Sequence, residues 1–134
     1  MNLKLMFSIT GIFMIISGLA TLLFPAALIE QTLGISLPAS TPGFIEMSLR
    51  FGGAYSIGLG LIAWLVRSNA YDSKARDAVA LGFVIYFALH AVTSLYGQFT
   101  DTSTSAHWVA ATIQVLFAVG FFIARKSSIS AKAS

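Results

Sequence analysis

The sequence predicts an all-α fold, a four-helix transmembrane bundle with both termini cytoplasmic, and three observations carry that prediction. Hydrophobic residues make up 57% of the 134 positions and charged residues only 10%. Mean hydropathy is +0.83, far outside the range of a soluble domain of this size. The apolar residues gather into stretches near the length that a bilayer demands of a helix, and the basic residues collect in alternate connections. That second pattern is the one that orients membrane helices.

The first span is Leu5 to Phe24, closed by Pro25. A signal peptide has a shorter apolar core, about 7–15 residues, so the segment reads as a retained helix. The second span covers about Ile45 to Val66, the third Ala78 to about Thr100, and the fourth about His107 to Ala124. Between the first two, Leu28, Ile29 and Leu33 around Glu30 and Gln31 predict a short amphipathic helix at the interface, followed by irregular turn structure over Leu37 to Gly43. The expected organisation is one membrane domain over 1–126 and a flexible cytoplasmic tail over 127–134, small and polar enough to fray.

Lys4 precedes the first span; Arg67, Lys74 and Arg76 separate the second from the third; Arg125, Lys126 and Lys132 follow the fourth. Under the positive-inside rule these mark the cytoplasmic side. The net charge of +3 therefore serves topology, and no nucleic-acid partner is expected. Trp64, Trp108, Tyr71, Tyr96 and Phe99 fall near span ends and fit an aromatic belt. Phe117, Phe121 and Phe122 read as packing or lipid-facing bulk.

Arg50 is the most informative side chain. The uncharged run from Phe51 to Val66 is about 24 Å long at 1.5 Å per residue, short of the roughly 30 Å hydrocarbon layer, so the helix must take in Arg50. A guanidinium at membrane depth has to be paired, hydrated or snorkelling. Glu46, one turn earlier, shares its face and can pair with it. Both a structural ion pair and a ligand anchor fit these residues.

Other polar groups share the outward half. Tyr86, His90, Thr93 and Gly97 form one stripe of the third span, expected to face protein. His107, Ala111, Gln114 and Ala118 form another on the fourth, and Thr10, Met14, Ser17 and Thr21 a third on the first. The cytoplasmic half, Leu59 to Val66 and Val115 to Ile123, is almost wholly apolar. Together these predict a small outward-opening polar cavity above a dry floor. Gly52, Ser56 and Gly60 recur every four positions and predict close helix approach, within the chain or at a homodimer seam.

Chemistry beyond binding finds no support. Cysteine is absent, which removes disulfides and thiolate metal sites. His90 and His107 do not make a metal set, no Gly-x-Ser-x-Gly turn occurs, and the glycine pairs sit within a span instead of between strand and helix. No cofactor, metal or enzymatic activity is expected.

The segment Glu46-Met-Ser-Leu-Arg50-Phe-Gly52-Gly53-Ala-Tyr-Ser-Ile-Gly58-Leu-Gly60-Leu resembles the second span of a family of small bacterial four-helix membrane proteins, a domain of unknown function. Those proteins share a proline closing the first helix and an arginine followed by paired glycines. The chain is also broadly similar to the DoxX-like group. The resemblance implies architecture, a bacterial inner-membrane location and Arg50 as the residue that matters; the redox and quinone partners of DoxX-like proteins do not follow from fold alone.

The leading expectation is a non-enzymatic protein that binds a small amphipathic or anionic molecule, a lipid or quinone head group. Arg50 would anchor it with Glu46 behind, His90 and Gln114 would hydrogen-bond, Tyr55 and Tyr86 would form the wall, and Thr93 and Ser17 would add hydroxyls. Two rivals are an accessory subunit docking its glycine face on a larger membrane partner, and a small oligomeric proton-coupled transporter using His90 and Glu46.

Overall fold

The computed structural model describes residues 2–33, 43–68, 73–100 and 106–133. The fold is all-α, of the four-helix bundle class: α1 (Leu3–Leu23), α2 (Pro25–Leu33), α3 (Gly43–Val66), α4 (Ser73–Thr100) and α5 (Ala106–Ala133). Four of these are long and apolar enough to span a bilayer, over Leu3–Leu23, Met47–Val66, Ser73–Phe99 and His107–Ile129. At most 33% of the residues in each apolar window are buried, so most of their surface needs lipid rather than water around it. The protein is an integral membrane protein.

Local chemistry sets the helix ends. Asn2 caps α1: its Oδ1 accepts from the Lys4 N–H at 2.9 Å, and its carbonyl accepts from Leu5 and Met6, satisfying donors the first turn would otherwise orphan. Pro25 ends α1, because it brings no N–H to the ladder, and then serves as the first residue of α2. The short interfacial helix expected near Leu28 is α2, although the side chains of Ile29, Gln31 and Leu33 lie outside the described set. The expected turn falls on 34–42, also outside it, except for Gly43, which opens α3. α5 runs past Ala124 to Ala133, through the stretch expected to fray. Lysines and serines carry no helix-breaking penalty comparable to glycine or proline, and the Ser127 hydroxyl returns to the Ile123 carbonyl at 3.0 Å.

The chain forms two compact units. One is Thr10–Trp64, the other Met1–Ile9 with Leu65–Ser134. The first is an antiparallel pair of α1 and α3 in backbone contact. A methyl on Gly53 would lie 2.7 Å from the Gly18 carbonyl oxygen, and one on Gly60 would lie 2.9 Å from that of Gly11. Two glycines on each helix, seven positions apart, thus face each other, the repeat that keeps one seam aligned over two turns. The sequence expectation of a Gly52, Ser56, Gly60 face is corrected by one residue: the seam uses Gly53, Ser56 and Gly60, while the space beside Gly52 is open to 4 Å.

The second unit pairs α4 with α5 around an aromatic core. Phe83 stacks on Phe121 at 5.2 Å and Phe87 on Phe117 at 4.9 Å. Phe7, from the start of α1, meets Phe83 and Phe121 edge-on at 6.0 and 5.2 Å. These geometries follow the ring quadrupole, and each adds about 0.5–1.5 kcal/mol beyond contact area. Phe121 is completely buried and Phe122 exposed, so the packing role goes to Phe121. Trp108 and Phe99 pair at 6.1 Å on exposed surface; Tyr71 lies outside the described residues.

Candidate functional site

Polar chemistry concentrates in two places, one in each unit. The first is the end of the α1–α3 seam that carries Arg50. Ser56 donates from Oγ to the Met14 carbonyl at 3.0 Å, midway between the glycine pairs. Farther along α3, Arg50 donates from Nη1 to the Leu22 carbonyl at 2.7 Å, partly buried. Leu22 belongs to the last turn of α1, whose carbonyls lack ladder donors and carry the negative end of the helix dipole. A guanidinium there is both a hydrogen-bond donor and a compensating charge. Arg50 is therefore held by backbone from another helix. The Glu46 side chain expected to pair with it lies outside the described set.

Ser17 is half-buried, with Oγ 3.4 Å from the Met14 carbonyl, and its own carbonyl accepts from Thr21 Oγ1 at 2.9 Å. Thr10 and Met14, on the same stripe, are buried. Tyr55 is 73% exposed, on the side of α3 away from the seam.

The second place is the end of the α4–α5 pair that carries Gln98 and His107. The inward row of α4 is Ala80, Phe83, Phe87, Ala91 and Gln98, all buried, with Ser94 half-buried among them. Ser94 donates from Oγ to Gln114 Oε1 at 3.2 Å. One turn on, the His107 imidazole covers Gly97, where a methyl would meet its Nδ1 and Cε1 at 3.2 Å. Beside them Gln98 is only 7% exposed, and its Oε1 is enclosed with no hydrogen-bond partner.

The predicted stripe of α4 is divided. Gly97 does meet His107, but His90 and Thr93 stand on exposed surface instead of in the inward row. Thr93 returns its hydroxyl to the Leu89 carbonyl at 3.0 Å, and His90 lies against the half-buried Tyr86 ring at 4.4 Å. Of the residues singled out from sequence as binding groups, Gln114 sits in the inward polar layer and Arg50 in the α1–α3 seam. Ser94, Gln98 and His107 complete the layer. Gln98 escaped the sequence analysis, although the four-residue step from Ser94 places both on one face.

Among the described residues no three histidine, aspartate or glutamate side chains converge as a metal set would. Comparison with protein-family models, with curated proteins and with solved structures finds no match to this chain.

Proposed function

We propose that this membrane protein binds a small amphipathic molecule, holding its head group in the polar layer of Ser94, Gln98, His107 and Gln114. One observation carries the reading: the Gln98 carbonyl is enclosed without a donor. A buried acceptor left unmade costs about 1–3 kcal/mol, and a head-group O–H or N–H would remove that cost. Around it, the His107 ring offers one donor and one acceptor nitrogen in its neutral form, and the Gln114 amide offers donors. A phenol or alcohol head group, such as that of a quinol or hydroxylated lipid, meets this set better than a quinone, whose carbonyls only accept.

Arg50 in this reading fixes the α1–α3 seam through Leu22, and an anionic head group is not required. With the basic connections in the cytoplasm, the polar layer faces the outer leaflet of a bacterial inner membrane. A second reading, docking on a second copy or a larger membrane partner, draws on the open space beside Gly52 and Gly58 and the exposed Tyr55 between them.

Native mass spectrometry of the detergent-extracted chain tests the first reading. The wild type should retain a small molecule, and Gln98→Leu, similar in volume and lacking the acceptor, should lose it. If the wild type retains none and Gln98→Leu is as stable or more so, the layer is structural.

A further inference from the structure

The opposite end of the α4–α5 pair is built differently. As residue numbers fall along α4 from Gly97 through Ser94, Phe87 and Phe83, they rise along α5 through His107, Gln114, Phe117 and Phe121. Extended by the same register, Arg125 falls opposite Val79, so Arg76 and Asp77 lie within one turn of its level and Lys74 about a turn and a half beyond it. Arg67, in the turn that ends α3, precedes the short connection into α4. Among the described residues this end carries six basic side chains, Lys4, Arg67, Lys74, Arg76, Arg125 and Lys126, and one acidic, Asp77. Even with that carboxylate fully engaged, a large positive excess remains.

The arginines differ from ordinary surface cations. Arg67, Arg76 and Arg125 are half-buried with their Nε atoms enclosed, and the Nε of Arg125 has no hydrogen-bond partner. Their stems pack on protein, which limits where the forks can reach. Lys74 and Lys126 are exposed beside them. Within about two and a half turns, toward the span centres, the exposed surface becomes apolar at Leu81, Ile85, Phe122 and Ile123. A fixed cationic cluster bordering an acyl-compatible surface matches one chemical object, a phosphate joined to two fatty chains.

We propose that this basic end binds the phosphate of an anionic phospholipid, with Arg76 and Arg125 as the principal donors and Lys74 and Lys126 as supporting charge. The site is independent of the Gln98 layer, differing in position, charge and ligand class, so each can fail alone. Basic groups near an anionic lipid surface contribute enough that removing one lowers affinity about five-fold.

The test uses the full chain in mild detergent, with equimolar dioleoylphosphatidylglycerol and dioleoylphosphatidylcholine added, and native mass spectrometry as the readout. The wild type should carry predominantly phosphatidylglycerol. Arg76→Gln with Arg125→Gln should bring the two lipids close to parity, whereas Arg76→Lys with Arg125→Lys should keep most of the preference. Lys74→Gln with Lys126→Gln, at exposed positions that leave helix packing intact, should reduce it by a smaller factor. Parity in the wild type, or a preference untouched by both Gln pairs, overturns the proposal. A fourth arm adds inorganic phosphate in millimolar excess: persistence of the lipid adduct supports a lipid site, and its displacement reassigns the cluster to a free anion.

Discussion

Two adjacent glycines on α3 should respond to the same substitution with opposite signs. A methyl at Gly53 would lie 2.7 Å from both the Gly18 carbonyl oxygen and the Leu22 nitrogen. Ordinary contact begins near 3.4 Å, so the α1 and α3 backbones must part by about 0.7 Å. Backbone cannot swing aside as a side-chain tip can, and overpacking of this kind costs about 1–3 kcal/mol. At Gly52 the added methyl meets nothing within 4 Å, and replacing a mid-helix glycine by alanine is worth about 0.5–1 kcal/mol. Because both variants share that helix gain, Gly53→Ala and Gly52→Ala should differ by the overpacking cost alone, about 1–3 kcal/mol. Urea or dodecyl sulfate titration in mixed micelles, followed by far-ultraviolet circular dichroism, measures that difference. Because Gly18 shares the contact, Gly18→Ala combined with Gly53→Ala should cost less than the two singles together. Equal losses at Gly52 and Gly53 would refute the seam and restore the four-residue register read from sequence.

Arg50→Met removes the charged donor to Leu22 and should destabilise the same micellar protein by about 1.5–3 kcal/mol. Arg50→Lys, which keeps a cation at the α1 terminus, should lose less than half of that, and an equal loss would mean that charge is not what α1 needs. Phe121→Ala empties the fully buried centre of the Phe7, Phe83 and Phe87 cluster. It should cost about 3–5 kcal/mol in the same titration, while Phe122→Ala, on exposed surface, should be nearly silent.

The spans were legible because twenty-residue apolar stretches have one physical solution in a bilayer. Which face of each helix turns inward was less so. For α3, Gly52 and Gly53 both fit a small-residue row with Ser56 and Gly60. The choice is made by Gly11 and Gly18, whose seven-residue spacing matches Gly53 and Gly60, a signal visible only when two spans are compared. For α4, the expectation that polar residues face protein favoured His90 and Thr93. Phenylalanine has no aversion to lipid or to protein, so hydrophobicity did not mark Phe83 and Phe87 as the inward row; shape complementarity among rings did. Arg50 was legible as a group needing compensation. That its acceptor is a main-chain oxygen could have been anticipated from the terminus of α1, where Pro25 ends the ladder and the last carbonyls run short of donors.

The two kinds of polar residue in these spans face unequal problems, and the inequality is why Gln98 stands apart. A hydroxyl is a donor, and every helix offers carbonyl oxygens one turn back. Ser8, Thr21, Thr93, Thr112 and Ser127 all take that route, at 2.9–3.0 Å. Thr10, buried with Oγ1 unpartnered, is one χ1 rotation from the same solution. An acceptor has no such recourse, because the N–H groups of a helix interior are already spent on its own ladder. Gln114 Oε1 meets the difficulty by taking the Ser94 hydroxyl from α4. Gln98 Oε1, with that hydroxyl already committed, needs a donor from outside its helix, and as the Gln114 amide and His107 ring are placed they do not supply it, which leaves a water or a bound head group. A trapped water would leave Gln98→Leu neutral or stabilising with no change in what copurifies, whereas a head group ties the same substitution to loss of a specific mass. One variant therefore separates a hydrated packing defect from a binding site.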